Sequence, residues 1–155
     1  MADASSKDGS SPSWGLVLVR ITCGVILVYA GWTKVSGGIS EQLVTGTKDQ
    51  FAHAPALVRA WGESFVLPHP WLFSHLIAWG ELLGGLGLFL GALTRPAGIA
   101  LTFQFANFYF AGPEQMQMFA LLLAVCCFGC ALSRAGRKCG MDVFLDGHLP
   151  RWLTL

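Results

Sequence analysis

The apolar run from Trp71 to Leu93 is the feature that most constrains how this chain can fold. At about 1.5 Å per residue it is long enough to cross a bilayer as a helix, and it contains a single carboxylate, Glu81. A charge in hydrocarbon is costly, so Glu81 is expected to face protein or water and to have a partner. Arg20 and Lys34, in an earlier apolar run, are the candidate partners. The pattern predicts an integral membrane protein with a buried polar centre.

The composition agrees with a membrane class. Hydrophobic residues make up 54% of the chain and charged residues 12%, whereas a soluble domain carries about a quarter charged residues. The net charge of +1 gives no basis for a nucleic-acid partner. Residues 1–13 are small and polar and do not resemble a signal peptide, so we expect a disordered tail. We therefore predict one membrane domain over residues 14–147, followed by a C-terminal tail at 148–155.

Four apolar segments are expected to form helices: Trp14–Val35, Trp71–Leu93, Pro96 to about Gly112, and about Met116 to Ser133. Hydrocarbon admits helices or closed barrels, and these runs are too long for barrel strands. Short turns with breaker residues separate the last three segments, which favours antiparallel neighbours. The sequence therefore predicts an all-α, four-helix membrane bundle.

Lysine and arginine are unevenly distributed over the two sides of this predicted bundle. One side carries Lys7, Arg95, Arg134, Arg137, Lys138 and Arg151. The other side carries Lys34, Lys48 and Arg59, spread over a longer loop. The distribution predicts that both termini are cytoplasmic and that the loop from Ser36 to Pro70 is outside.

The outer loop contains aromatic and aliphatic residues at helical spacing: Phe51, Val58, Trp61 and Phe65. Pro55 is suited to start a short helix there. One interpretation is an interfacial helix that lies flat over the bundle. The alternative is an irregular loop with a few aromatic side chains touching the membrane.

One face of the first predicted helix carries a cation at each end and small residues between: Arg20, Gly24, Leu27, Gly31 and Lys34. By its height in the bilayer, Glu81 could meet Tyr29 and Asn107 directly. It could also reach Lys34 towards the outer side or Arg20 towards the cytoplasm. We favour Lys34, because the loop side admits water.

Seven polar side chains are therefore candidate site residues. The candidate catalytic groups are Glu81, Lys34 and Tyr29, and the candidate ligand-binding groups are Arg20, Asn107, Gln104 and His75. His75 lies near the outer edge, where it is either a proton carrier or a hydrogen-bonded helix residue. Two interpretations of the polar centre remain: a structural network that fixes helix register, or a pocket for a polar head group or a proton relay.

The fourth apolar segment is rich in cysteine. Cys127 and Cys130 have the spacing of a redox CxxC pair, but such a pair is usually found at a helix N-terminus. Here it is deep in an apolar run, so we expect these cysteines to serve mainly as small packing residues. Cys139 has basic neighbours but is alone. The sequence shows no spacing typical of a metal site.

Several sequence motifs together resemble the DoxX family of small four-helix membrane proteins. They are V-R-I-T-C-G and G-W-T-K in the first segment, G-E-L-L-G-G and G-A-L-T-R-P in the second, and F-L-D in the tail. Members of this family are associated with membrane oxidoreductase systems, including thiosulfate:quinone oxidoreductases, and with redox-stress complexes. The resemblance implies a quinone-linked redox role, or an accessory subunit of such a complex, in the inner (plasma) membrane of a bacterial-type cell. By motif it points to Arg20, Lys34 and Glu81.

Two hypotheses for the function follow. In the first, the outer half of the bundle binds a quinone, Glu81 and Tyr29 handle protons, and Lys34 stabilises an oxyanion. No motif for a flavin, haem or iron–sulfur cluster is evident, and quinone is the cofactor that the resemblance implies. In the second, the chain is a non-catalytic structural or assembly subunit of a larger electron-transfer or photosynthetic membrane complex. The long outer loop and the cysteine-rich segment depart from the family pattern and indicate a specific partner subunit besides the bilayer.

Overall fold

The computed structural model describes residues 14–38, 51, 54–133 and 140–142, and all regular structure in these ranges is helical. The elements are α1 (Trp14–Ser36), α2 (Ala56–Trp61), a π-helical turn (Gly62–Val66), α3 (Pro70–Leu90), α4 (Thr94–Ala111) and α5 (Glu114–Leu132). The predicted all-α class is confirmed. The expected tails at 1–13 and 148–155, Cys139 and most of the basic tail residues lie outside the described residues.

Three of these helices, α1, α3 and α5, are long and apolar enough to cross a membrane. The chain is thus a membrane protein in contact with a lipid bilayer. Helix α4 has 18 residues but is not in that set, because Arg95, Gln104 and Asn107 lower its hydropathy. At about 1.5 Å per residue its length is roughly 27 Å, close to the thickness of the hydrocarbon core.

The turn between α3 and α4 corrects two predicted boundaries. Helix α3 ends at Leu90 rather than Leu93, because Gly91 and Leu93 both adopt left-handed conformations with φ of 65° and 52°. Helix α4 begins at Thr94, before Pro96 rather than at it. Proline is tolerated in the first turn of a helix, where its missing N–H has no intrahelical partner.

Glycines bring α1 and α3 into close contact. A Cβ added at Gly24 would lie 2.6 Å from the backbone N of Phe89, and one at Gly31 would lie 2.7 Å from Cα of Leu82. A Cβ at Gly85 would similarly lie 2.7 Å from the N of Val28. The two backbones therefore approach more closely than any side chain would allow, as small residues permit in membrane helix pairs. Helices α4 and α5 form the second extensive pair, and α3–α4 and α1–α5 contacts close the bundle.

The segment 140–142 docks onto the α3–α4 turn. The N–H groups of Met141 and Asp142 donate to the carbonyls of Leu90 and Gly91 at 3.1 and 2.8 Å. The Asp142 carboxylate accepts hydrogen bonds from the N–H groups of Leu93 and Thr94 at 2.7 and 3.3 Å. A carboxylate in this position satisfies the unpaired N–H groups that begin α4 and complements its dipole. We call this end of the bundle, with Trp14 and the α3–α4 turn, the tail end.

The opposite end, which carries α2 and the α4–α5 turn, is called the loop end. There a short helix is present, as the spacing of the loop residues predicts, and it continues into the π-helical turn. Val58 of this helix is partly buried against a small apolar cluster: Phe51, Ala54, Val66 and Ala111. Gly62 lies directly against the Phe51 ring. The outer face exposes Leu57, Trp61 and Phe65.

A methyl group at Gly31 should destabilise the bundle. Gly31→Ala places a Cβ against the Leu82 backbone, which cannot move away as a flexible side chain would, so we expect a loss of about 1–3 kcal/mol. Gly129→Ala is the matched control, because a Cβ at this helical glycine has no atom within 4 Å. It should stabilise by roughly 0.5–1 kcal/mol through helix propensity. Unfolding in detergent measures both, and equal effects would contradict close α1–α3 packing.

Candidate functional site

Glu81 and Lys34 form an ion pair between α3 and α1. Lys34 Nζ lies 2.5 Å from Glu81 Oε2, and the side chains are 29% and 2% exposed respectively. The predicted pairing of Glu81 with Lys34 is confirmed. Lys34 follows Gly31 by nearly one helical turn, so the close approach at Gly31 places it beside Glu81. Glu81 is the inner, desolvated member of the pair, and Lys34 is the member that reaches the surface.

Gln104 of α4 holds the other carboxylate oxygen. Its Nε2 donates to Glu81 Oε1 at 3.4 Å and to the backbone carbonyl of Ile77 at 3.3 Å. Its Oε1 lies over Gly80, where an added Cβ would be 2.8 Å away. Three helices thus contribute to one polar cluster, Lys34–Glu81–Gln104, and Gly80 provides the room in which the amide lies.

An apolar cavity of about 310 Å³ lies on the other side of Gln104, at the loop end. It is lined by Phe51, Trp61, Val66, Phe73, Leu76, Ile77, Gly80, Ala100, Phe103, Gln104, Asn107, Phe108 and Ala111. Gln104 and Asn107 supply the polar side chains of this lining. An apolar cavity with a few polar groups is the usual form of a small-molecule site.

Asn107 has a hydrogen-bond donor to spare at the cavity wall. One N–H of its Nδ2 donates to the Phe103 carbonyl of its own helix at 2.8 Å. A carboxamide has two N–H groups, so the second is left for a ligand. The two hydrogens of Gln104, by contrast, are directed at Ile77 and Glu81. Asn107 is therefore the better placed of the two amides to donate to a bound molecule.

Tyr29 does not join this cluster, contrary to the expectation that Glu81 could meet it. Its side chain is 72% exposed and points away from the bundle. Tyr29 is two residues from both Leu27 and Gly31, which puts it roughly 200° around α1 from the face that packs on α3. Asn107 also makes no direct hydrogen bond to Glu81 in the described residues. The carboxylate oxygens instead accept from Lys34 and Gln104.

Arg20 belongs to a different part of the molecule. It is 1% exposed, and its guanidinium Cζ lies 2.9 Å from where a Gly91 Cβ would be, beside the α3–α4 turn. Gly91 is ten residues after Glu81, which is roughly 15 Å along the helix. Arg20 thus packs at the tail end and does not line the cavity.

His75 is bonded within its own helix. Its Nδ1 lies 2.9 Å from the Trp71 carbonyl, so this nitrogen carries the hydrogen, and its ring packs on the Trp71 indole with centroids 3.9 Å apart. It does not line the cavity. Of the two expectations for His75, the geometry matches the hydrogen-bonded helix residue.

Cys127 and Cys130 are completely buried in the main apolar cluster, together with Cys23 of α1. Their surroundings there are mostly aliphatic and aromatic, as expected for packing residues. Among the described residues, no group of three or more His, Cys, Asp and Glu side chains is arranged to hold a metal ion.

Sequence reasoning named Gln104 and Asn107, which both line the cavity, but it missed the apolar walls. The walls combine α3 and α4 with Phe51, Trp61 and Val66 of the loop, and the last three become neighbours of the bundle only after folding. Gly80 was the one indication of this space in the sequence, because a small residue beside the Glu81 carboxylate leaves room for another helix or for a ligand.

The ion pair should show a favourable coupling energy. Glu81→Gln alone leaves the Lys34 ammonium without its carboxylate, whereas the double change with Lys34→Met removes both charges. We expect the single Glu81 change to destabilise more than the double change, with coupling of about 1 kcal/mol or more in a double-mutant cycle. Unfolding in detergent measures the cycle.

The matched control is the cycle of Glu81→Gln with Arg20→Met. Because Arg20 packs beside Gly91, roughly 15 Å along α3 from Glu81, its change should be additive with that at Glu81. Additivity with Lys34 and coupling with Arg20 would contradict the observed arrangement.

Comparison with known proteins gives a family for most of the chain. A family model described as DoxX matches residues 15–133, which include α1, α3, α4 and α5. No curated protein and no solved structure matches the chain.

Proposed function

The chain belongs to the DoxX family, and from that premise we propose that it is a quinone-linked component of a membrane oxidoreductase system. The cavity at the loop end is the proposed site of the quinone head group. The observation that carries the proposal is an apolar cavity of about 310 Å³ with two carboxamides in its wall, one of them bonded to a buried carboxylate.

The lining residues fit such a head group. A quinone ring is flat and apolar and carries carbonyl oxygens that accept hydrogen bonds. Trp61, Phe73 and Phe108 offer aromatic surfaces to the ring. The second N–H of Asn107 is a donor for one carbonyl. Head group and cavity thus match in shape, polarity and hydrogen-bond type.

When bound, a quinone supplies a two-electron acceptor that also takes up two protons. The chain's own contribution is to move protons to the cavity. Lys34 is the exposed member of the ion pair and can exchange protons at the loop end, and its Nζ is in hydrogen-bond contact with Glu81 Oε2. Glu81 would hold a proton at the carboxylate, and Gln104 separates it from the cavity. Lys34 itself does not line the cavity, so we assign it to proton transfer rather than to direct contact with the ligand.

Removing the Asn107 amide should weaken quinone binding. Asn107→Leu keeps the side-chain volume similar and deletes the available donor. A loss of about 1–1.5 kcal/mol is expected, that is, a roughly five- to tenfold higher Kd. Titration of the purified protein with a short-chain ubiquinone, followed by tryptophan fluorescence, measures the affinity, because Trp61 is in the lining.

Gln117→Leu is the matched control, because this amide donates to the Gly112 carbonyl and is not part of the cavity lining. It should leave the Kd unchanged. A folded wild-type protein that binds no quinone, or equal losses in the two variants, would overturn the proposal.

The second hypothesis, a structural or assembly subunit, is supported by the outer surface of α4. Phe103 and Phe110 of this helix are 64% and 48% exposed, whereas Phe105 is buried. Exposed aromatic side chains of this kind suit contact with another membrane subunit as well as with lipid. On this hypothesis, extraction in mild detergent would yield the chain within a larger complex, and the isolated chain would bind no quinone.

We further propose that all four long helices cross the membrane, with both termini in the cytoplasm of a bacterial-type cell and α2 at the outer interface. The exposed stripe of Leu57, Trp61 and Phe65 supports an interfacial position for α2. In a cysteine-free background, Glu114→Cys should react with an impermeant maleimide added outside intact cells. Arg95→Cys should react only after the cells are opened. The reverse pattern would show the opposite orientation, and the same pattern for both would show that α4 does not cross.

A further inference from the structure

The cavity at the loop end reaches the outer surface of the bundle between α3 and α4. Leu76 of α3 and Phe103 of α4 both line it, yet these side chains are 63% and 64% exposed. Ala100, nearly one turn from Phe103, lines the cavity as well and is also exposed. A residue can line a cavity and be mostly exposed only if it lies at the edge of that cavity. These three residues therefore mark an opening, which we call the side opening.

The cavity is better covered towards the two ends of the bundle. On the loop side, Phe51 and Val66 line it and are buried, and Trp61 is 37% exposed, far less than the residues of the side opening. Towards the tail end, α3 and α4 are in contact, because a Cβ added at Gly84 would lie 2.9 Å from Cγ of Leu101. The two helices thus diverge from this contact towards the loop end, and the widest access to the cavity is from the side.

The side opening lies within the part of α3 that crosses the membrane. Leu76 is six residues after the first residue of α3, which is roughly 9 Å along the helix, and Phe103 is eight residues before the last residue of α4, roughly 12 Å. Helix α3 is long and apolar enough to span the hydrocarbon core, which is about 30 Å thick. The space outside the opening is therefore filled by lipid chains, and a molecule that passes through it comes from the bilayer.

We propose that the ligand of this cavity is a quinone with an isoprenoid tail, which enters sideways from the bilayer between Leu76 and Phe103 and keeps its tail in the side opening. This inference rests on the proposed function, because it names the substrate class of the same cavity. A cavity of about 310 Å³ has room for a head group but not for a tail of several isoprene units, so the tail has to leave the cavity. The side opening gives it an apolar path into the lipid.

The position of Asn107 agrees with this placement of the tail. Asn107 lies one turn from Phe103 on α4 and donates to the Phe103 carbonyl at 2.8 Å, so its second N–H is at the cavity wall close to the side opening. In prenylated quinones the tail is attached to the ring carbon next to a carbonyl. A head group whose carbonyl accepts from Asn107 can therefore direct the tail on that side of the ring past Phe103 into lipid.

Photolabelling of the full chain in liposomes tests where the tail lies. The probe is a ubiquinone whose decyl tail carries a diazirine, and peptide mass spectrometry locates the label after irradiation. Leu76 and Phe103 should be labelled, and an excess of decyl-ubiquinone should abolish that label. Leu83 of α3 is the matched reference, because it is 60% exposed but does not line the cavity, so its labelling from bulk lipid should not respond to the competitor.

Two results of this experiment would overturn the inference while leaving quinone binding intact. One is competitor-sensitive label at Trp61 and Val66 in place of Leu76 and Phe103, which would place the tail towards the loop. The other is label at Leu76 and Phe103 that responds to the competitor no more than the label at Leu83. Failure of the folded protein to bind either a tailed or a tail-free quinone would instead overturn the proposed function itself.

Ala100→Phe provides a second test, because a phenyl ring at this exposed lining position would fill the side opening. The Kd for decyl-ubiquinone, expressed as a mole fraction in the lipid, should rise by about tenfold, the scale of overpacking a filled site. The Kd for dimethoxymethylbenzoquinone, which has a similar ring and no tail, should hardly change. Tryptophan fluorescence in liposomes measures both affinities.

Ile99→Phe is the matched control, because Ile99 is adjacent and 59% exposed but is not part of the cavity lining. It should leave both Kd values unchanged. Binding of the tail-free quinone by Ala100→Phe shows that this variant is folded. Equal losses for the two quinones in Ala100→Phe, or an unchanged Kd for decyl-ubiquinone, would show that the tail does not use the side opening and would overturn the inference.

Discussion

The burial of one carboxylate within a membrane-spanning helix is the constraint on which the rest of this structure depends. Glu81 is 2% exposed, and an uncompensated charge in hydrocarbon would cost a large fraction of the stability of a typical domain. Its oxygens accept hydrogen bonds from Lys34 of α1 and Gln104 of α4. Three helices must therefore be rotated so that these side chains meet. Packing at Gly31 and Gly80 then follows, because a side chain at either position would keep the partners of Glu81 away.

The two ends of the bundle have different roles in this account. At the tail end, Asp142 caps α4, and Arg20 packs against Gly91, so charged groups close the turn and fix helix ends. At the loop end, a chain of polar side chains leads from the surface at Lys34 through Glu81 and Gln104 to an apolar cavity. The tail end thus fixes helix ends, and the loop end holds the cavity and the polar cluster on which the proposed function depends.

The sequence predicts the parts of this structure that depend on local periodicity. The lengths of the apolar segments predict the long helices. The helix face that carries Arg20 and Lys34 predicts which side of α1 meets Glu81. The expected contact of Tyr29 with Glu81 is absent because the two residues share a height in the bilayer, but Tyr29 lies on the side of α1 that faces away from α3. The end of α3 was misplaced because Leu93 is apolar, and its left-handed conformation is accompanied by a hydrogen bond to Asp142, 49 residues away. The apolar walls of the cavity depend on tertiary packing, because Phe51, Trp61 and Val66 of the loop reach the bundle only after folding, and no local pattern encodes this.

The central claim is that a ligand in the cavity is linked to the buried carboxylate through Gln104. Infrared difference spectroscopy on adding a short-chain ubiquinone tests it most directly, because carboxylate and carboxylic-acid stretches are resolved from the rest of the protein. The account predicts a ligand-induced change in a carboxyl band that disappears in Glu81→Gln and is reduced in Gln104→Leu, while both variants still bind the ligand. Ligand binding with no carboxyl change, or the same change in Glu81→Gln, would contradict it.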